Sequence, residues 1–256
     1  MNTQRSLAQG FHALHIRGEP LVLFNAWDPG SARVIEQAGA QAIATGSWSV
    51  AVAFGFEDGE QLPLELVIGN ARRIVAAVGL PVSIDFEGGY AEKPAALEQN
   101  LSRLLDTGIV GINFEDRVVA GTGLYGLADQ AGRIAALRRA ADKAGVALFI
   151  NARTDLFLAA PAAEHPGLHG QALERARAYA EAGASGFFVP GLCDEAGIAR
   201  LANEGPLPLN VMQLPKLPPA ERLAELDVAR ISHGPGPYRL AMAALKEAAQ
   251  HAFSTP

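Results

Sequence analysis

Residues 105–116, LDTGIVGINFED, contain the end of a predicted helix, then a glycine, then a short strand that finishes in two acidic residues. Gly108 stands where a left-handed residue ends a helix, because glycine adopts a positive φ without a steric cost. The run after it is almost continuously apolar, which is typical of a strand covered on both faces of a parallel sheet. The stretch therefore predicts one helix-to-strand step of an α/β fold.

The same order of helix, glycine and β-rich run recurs along the chain. It appears at residues 36–47, 76–87, 142–155 and 181–191, with the glycines Gly39, Gly79, Gly145 and Gly183. We expect each glycine to end its helix in the left-handed conformation. The size of the repeat is that of a βα unit.

Three further β-rich runs, at residues 21–27, 207–212 and 228–234, bring the predicted strands to eight. Eight strands alternating with helices predict a (β/α)8 TIM-type barrel, in one domain spanning residues 1–256. A doubly wound open sheet is the structural rival, but no G-x-x-x-x-G-K-[ST] loop is present. Residues 6–15, SLAQGFHALH, predict an extra N-terminal helix that closes the bottom of the barrel.

The composition is that of an ordinary soluble globular protein, with 49% hydrophobic and 19% charged residues. The net charge of −6 and the absence of a Lys/Arg cluster argue against a nucleic-acid partner. No apolar run approaches the roughly 20 residues of a membrane span, so we expect no membrane partner. A single cysteine, Cys193, and an N-terminus without an apolar signal segment favour a cytoplasmic location.

Polar residues gather at the ends of the predicted strands, where barrel enzymes place their active sites. Asp85 and Glu87 lie two residues apart in one strand, and Glu115 ends the next. Three carboxylates at one mouth repel one another unless a cation or arginines neutralise them. Oxygen ligands without His or Cys suit Mg²⁺, with Mn²⁺ possible, and Asp85 is then the direct ligand. The alternative is a structural ion-pair network with Arg117 and Arg153.

Arg153 is the natural partner for an anionic substrate, since a guanidinium can grip a carboxylate with two hydrogen bonds. Its alternative role is a structural ion pair with Glu115 or Asp155. The segment Thr45–Gly46–Ser47 offers hydroxyl and backbone N–H groups that can cradle a carboxylate or phosphonate. Asp58 lies on the loop that follows, and its local sequence alone indicates an ordinary solvent-exposed acid.

These segments together resemble the isocitrate lyase/phosphoenolpyruvate mutase superfamily over nearly the whole chain. The carriers are NAWDPGSARVIEQAG, ATGSWSVAVAFGFEDGE, SIDFEGGY, GINFEDR, INARTD, GASGFFVPG, LPLNVM and VARISHGPG. The resemblance implies a Mg²⁺-dependent barrel that cleaves or forms a C–C or P–C bond next to an α-oxycarboxylate. It also implies a homodimer or homotetramer.

The resemblance assigns roles to individual residues. Thr45, Gly46 and Ser47 match the segment that holds the substrate carboxylate, and Asp58 matches a loop acid near the reacting group. Asp85 matches the direct metal ligand, and Glu87 and Glu115 match acidic positions that act directly or through water. Arg153 matches the arginine that binds substrate and steadies the enolate, and Asn210 a substrate-side asparagine. We add Asn113 and Trp48 to the substrate pocket, and we count Glu115 with Asp58 and Arg153 as catalytic.

The sequence departs from the family in the loop after strand 4. The lyases carry Lys-x-Cys-Gly-His there, whereas residues 115–126 read EDRVVAGTGLYG. The leading hypothesis is a lyase or decarboxylase that cleaves or forms a C–C bond in a small 2-oxo or 2-hydroxy carboxylate. One alternative is P–C chemistry on phosphonopyruvate or phosphoenolpyruvate. The other is a barrel that binds a 2-oxo acid without turnover.

Overall fold

Eight parallel strands form the centre of the molecule in the computed structural model, which describes residues 3–119 and 121–254. The strands are β1 Leu21–Leu23, β2 Ile43–Ala44, β3 Val82–Asp85, β4 Gly111–Glu115, β5 Phe149–Arg153, β6 Gly186–Phe188, β7 Leu209–Met212 and β8 Arg230–Ser232. They pair in the order β1-β8-β7-β6-β5-β4-β3-β2. A parallel bridge between Ala26 and Thr45, with Ala26 N–H donating to Ala44 O at 2.8 Å, joins the two ends. The predicted (β/α)8 barrel is confirmed.

Helices follow the strands on the outside of the barrel. They are α1 Gln4–Ala13, α2 Pro29–Gln37, α3 Ser47–Ala53, α4 Leu64–Ala77, α5 Pro94–Leu105, α6 Leu127–Lys143, α7 Leu156–Ala159, α8 His165–Glu181, α9 Glu195–Glu204, α10 Ala220–Glu225 and α11 Gly236–Ser254, with a 3-10 turn at Ala162–Glu164. The apolar stripe of α5 is buried against the barrel, as its period predicts.

Four of the five repeat glycines end their helices with a positive φ, at 97° for Gly39, 95° for Gly108, 69° for Gly145 and 99° for Gly183. The prediction for Gly79 is wrong, because its φ is not positive. Helix α4 instead ends through Val78 in an extended conformation, and Gly79 N–H donates to Glu36 Oε1 at 2.7 Å. A side-chain acceptor on α2 therefore stabilises this turn in place of the left-handed cap.

Helix α1 covers the amino-terminal ends of the strands, as the sequence predicts. Phe11 is fully buried and packs edge-on against Phe149 at the start of β5. A Cβ at Gly111 would lie only 2.7 Å from the Phe11 ring, so the close packing of α1 on β4 requires glycine there. With this end closed, the opposite end of the barrel is the one left for a site.

Helix α11 is largely exposed, and Pro237 is the only buried residue among its described members. Leu240, Leu245 and Phe253 are 66%, 62% and 88% exposed. No helix among the described residues is long and apolar enough to cross a membrane. These apolar side chains of α11 therefore stand in solvent in the single chain.

Candidate active site at the carboxyl ends of the strands

A cavity of about 190 Å³ opens at the carboxyl ends of the strands. Eight residues singled out from the sequence line it: Thr45, Gly46, Ser47, Trp48, Asp58, Asp85, Asn113 and Arg153. They come from the ends of β2, β3, β4 and β5 and from the segments that follow β2. The structure therefore brings most of the predicted site residues to one place.

Asp85, the last residue of β3, has one oxygen engaged and one open. Its Oδ2 accepts a hydrogen bond from Ser47 N–H at 3.0 Å, and its own N–H donates to Thr45 Oγ1 at 3.0 Å. Its Oδ1 is buried and has no hydrogen-bond partner among the described residues. A buried carboxylate oxygen without a donor is costly unless a cation or water meets it. One amide of the predicted carboxylate cradle, that of Ser47, is thus already used to orient Asp85.

Glu87 is held away from the cavity by the loop before α4. Its Oε2 accepts from the N–H groups of Gly59 and Glu60 at 3.0 and 2.8 Å, and its Oε1 accepts from Tyr90 Oη–H at 3.0 Å. It borders a small void that it shares with Asp85 and lies outside the lining of the main cavity. Burial and then Asp85 raise the pKa of Glu87 to about 7.

Arg153, at the end of β5, is fixed by two carboxylates. Its Nη1 lies 2.9 Å from Glu115 Oε2, and its Nε and Nη2 donate to the two oxygens of Asp155 at 2.6 and 3.0 Å. Burial alone would lower the pKa of Arg153, but Glu115 and Asp155 raise it, so the guanidinium stays charged. Burial raises the pKa of Glu115, and Arg153 opposes that rise. Both ion pairs named as alternatives in the sequence are present, while Arg153 also faces the cavity.

The residues of the cavity fit a hard divalent cation, although the three predicted ligands do not form a ready cluster. No group of three His, Cys, Asp or Glu side chains within 3–119 and 121–254 is close enough to hold a metal. Asp85 lines the cavity, and its buried Oδ1 is nevertheless a hard ligand atom without a hydrogen-bond partner among the described residues. Burial, and then Asp85, raise the pKa of Asp58, which shows the mutual repulsion that a cation would relieve.

A polar network fills the barrel interior beneath the cavity. Fully buried Arg230 donates through Nη2 to Asn113 Oδ1 at 3.1 Å and through Nε to Ser232 Oγ at 3.2 Å. Asn210 bonds to the same Ser232 hydroxyl at 3.2 Å and does not line the cavity. Burial lowers the pKa of Arg230 to about 9, and Asp85 opposes the shift. Asn210 therefore positions Ser232, which does line the cavity.

The remaining lining residues were not singled out as site residues. They are Asn25, Ser49, Leu158, Phe188, Met212, Ser232, Gly234, Pro235 and Arg239. Asn25 closely follows β1 and Ser232 ends β8, so their position was a usable signal. Arg239 lies on α11, and no sequence pattern marks it. Its guanidinium carbon lies 4.7 Å from the centre of the Trp48 ring.

None of the described residues of the loop after β4 lines the cavity. Arg117 and Leu124 form an antiparallel bridge. The Cζ atom of Arg133 lies 3.9 Å from the centre of the Tyr125 ring, over its face. Tyr125 is absent from the cavity lining, as are Cys193 and His233. These three residues are therefore not placed to exchange protons with a ligand in this conformation.

The family model of phosphoenolpyruvate phosphomutase matches residues 11–253, which include every strand and the whole cavity. The chain belongs to the phosphoenolpyruvate phosphomutase family. Among solved structures, it is similar to the "putative phosphonomutase" of Burkholderia cenocepacia J2315, at 48% identity and a TM-score of 0.95. That match covers 97% of this chain and 99% of the other.

The chain is also similar in sequence to two curated proteins. The uncharacterized protein Rv1998c of Mycobacterium tuberculosis (strain ATCC 25618 / H37Rv) is 35% identical, over 94% of this chain and 87% of that protein. The "probable 2-methylisocitrate lyase 2" of Corynebacterium glutamicum is 29% identical, over 87% of this chain and 73% of its own. Members of the family are lyases and mutases, which identifies this chain as an enzyme by relationship.

Proposed function

We propose that the protein is a Mg²⁺-dependent lyase or decarboxylase that cleaves, or forms, a C–C bond adjacent to a 2-oxo or 2-hydroxy carboxylate. The observation that carries the proposal is the buried, unpartnered Oδ1 of Asp85 at a cavity that Arg153 also lines. A cation ligand and a fixed guanidinium at one cavity suit a substrate that is both chelating and anionic. The lyase relative supports carbon–carbon chemistry.

Asp85 would hold the cation directly through Oδ1. Glu87 and Glu115 would act through water, because their oxygens already accept hydrogen bonds from the protein or pair with Arg153. This division agrees with the preference of Mg²⁺ for one or two carboxylates and several waters. When bound, the cation supplies Lewis-acid stabilisation of negative charge on a substrate oxygen.

The residues of the chain then bind and orient the substrate. The carboxylate of the substrate lies against Gly46 and the Ser47 hydroxyl, where no side chain fills the space at Gly46. In a 2-oxo acid the bond between the carbon beside the oxo group and its carboxylate breaks, and the carboxylate leaves as CO2. In a 2-hydroxy acid the hydroxyl loses its proton, its carbon becomes a carbonyl, and the bond to the next carbon breaks. In both cases the electron pair of the broken bond enters an enolate, which the Arg153 guanidinium stabilises. Asp58, at the same cavity, is the carboxyl group placed to move a proton to or from the reacting carbon.

Steady-state turnover on a panel of 2-oxo and 2-hydroxy di- and tricarboxylates, with Mg²⁺ and with chelator, tests the proposal. We expect at least one acid to be converted with Mg²⁺, and chelator to remove the activity. Absence of Mg²⁺-dependent conversion on every acid would overturn the lyase proposal. Tight binding of such acids without product would support a binding barrel in its place.

P–C bond chemistry is the second candidate function, because the relative at 48% identity is described as a phosphonomutase. The loop after β4 supports neither activity, since residues 116–126 lack the Lys-x-Cys-Gly-His of the lyases and contain no lysine. Incubation with phosphonopyruvate and phosphoenolpyruvate, followed by phosphorus NMR, separates the two candidates. A new phosphonate signal or released phosphate would favour the phosphorus reaction.

We also propose that a second copy of the chain covers the exposed apolar side chains of α11, giving the homodimer or homotetramer expected from the family. The three exposed side chains Leu240, Leu245 and Phe253 support this. Light scattering should give a mass of two or four times 26.8 kDa. A mass equal to that of one chain would overturn the proposal.

A further inference from the structure

The arginines at and below the cavity differ in how freely they can bind an anionic ligand. Arg153 is partly occupied within the protein, because its Nη1 pairs with Glu115 and its Nε pairs with Asp155. Arg230 lies beneath the cavity, fully buried, and does not line it. Arg239 is therefore the cationic lining residue that remains without a carboxylate partner among residues 3–119 and 121–254.

Arg239 is held in place by an aromatic wall. Its guanidinium carbon stacks on Trp48, whose ring meets Tyr238 edge-on at 5.9 Å. Tyr238 in turn meets Trp27 edge-on at 5.1 Å. A guanidinium stacked on a ring keeps its in-plane N–H groups free to bind a carboxylate. The wall thus orients Arg239 toward an anion at low entropic cost.

We propose that Arg239, stacked on Trp48, binds a second acid group of the substrate, remote from the end held at Asp85 and Arg153. This inference rests on the proposed function and makes Arg239 the residue that selects 2-oxo acids with a distal carboxylate over those without one. The two lining acids, Asp58 and Asp85, would repel such a group, so the favourable position for it is the side of the cavity that Arg239 lines. The role of Trp48 is then to fix Arg239.

The test uses matched ligands that differ only in the distal group. Dissociation constants are measured by calorimetry at fixed Mg²⁺ for 2-oxoglutarate against 2-oxopentanoate, and for oxaloacetate against 2-oxobutanoate, with oxalate as a probe of the Asp85 end. For any acid that the protein turns over, the inhibition constant of that acid against oxalate binding or its KM replaces the dissociation constant. The proteins are the unaltered chain, Arg239→Gln, Arg239→Lys, and Arg200→Gln on the remote helix α9 as the matched surface control.

Arg239→Gln should weaken the binding of at least one dicarboxylate by about 10- to 100-fold, the usual contribution of a charge-assisted hydrogen bond to affinity. It should leave the dissociation constants of the matched monocarboxylate and of oxalate within about twofold of those of the unaltered chain. Arg239→Lys should retain part of the preference for the dicarboxylate. The inference would be overturned if Arg239→Gln bound both ligands of each pair more weakly by the same factor, or bound them as tightly as the unaltered chain does. It would also be overturned if the unaltered chain did not prefer a dicarboxylate. Failure of the unaltered chain to bind oxalate would instead defeat the proposed function itself.

Discussion

Asp85→Asn should abolish turnover, by a factor on the order of 1,000 or more, while leaving the barrel folded. The amide keeps the size of the side chain and an oxygen that can accept the Ser47 N–H. It loses the negative charge of the buried Oδ1, which is the ligand we assign to the cation. Turnover and circular dichroism on the same preparation check the two halves of this expectation.

The matched control for that variant is Asp106→Asn, which removes an exposed carboxylate at the end of α5, outside the cavity lining. It should leave turnover unchanged. Asp85→Asn activity within about tenfold of the unaltered chain would show that Asp85 is not the central ligand, because loss of a charged metal ligand costs far more than that.

Asp116→Ala should reduce the free energy of unfolding by about 3–5 kcal/mol, the typical cost of leaving a buried charge without its partner. Asp116 is completely buried, and its Oδ2 accepts hydrogen bonds from Arg175 Nη1 and Tyr179 Oη at 3.0 and 2.9 Å. Its Oδ1 accepts from Asp155 N–H at 3.0 Å. The carboxylate therefore connects α8 to the end of β5. Urea denaturation measures the change in the free energy of unfolding when the carboxylate is removed.

Two controls separate this effect from a general loss of charge. Glu98→Ala breaks the exposed pair with Arg139 and should cost less than about 1 kcal/mol. The double variant Asp116→Ala/Arg175→Met removes both buried charges and should be more stable than Asp116→Ala alone. A cost for Asp116→Ala no larger than that for Glu98→Ala would contradict the network. Because Asp155 holds Arg153, Asp116→Ala should also lower turnover.

The sequence was sufficient for the barrel and for the general position of the site, because both follow from local patterns. Glycine after an apolar helix stripe and a short apolar strand recur with regular spacing, and strand ends in a parallel barrel meet at one face. Gly79 shows the limit of such a pattern. A side-chain acceptor from another helix, Glu36 Oε1, stabilised the turn without the left-handed conformation.

The arrangement within the site could not be predicted, since it depends on long side chains and on loops that meet only in the folded chain. Glu87 and Asp85 share a strand pattern, yet the loop at Gly59 and Glu60 binds Glu87 and withdraws it from the main cavity. Asp116 looked like a residue of the mouth but is fully buried under α8. Arg230, in a strand that reads as apolar, places a cation inside the barrel, and Arg239 reaches the cavity from α11.

Titration calorimetry of the unaltered chain with oxalate, in the presence of Mg²⁺ and in the presence of chelator, tests the central claim most directly. Oxalate is a small chelating dicarboxylate that needs both a cation at Asp85 and positive charge at Arg153. We expect one oxalate bound per chain with Mg²⁺ and a loss of at least about 100-fold in affinity with chelator. Oxalate binding of equal affinity without the cation, or no binding in either condition, would contradict it.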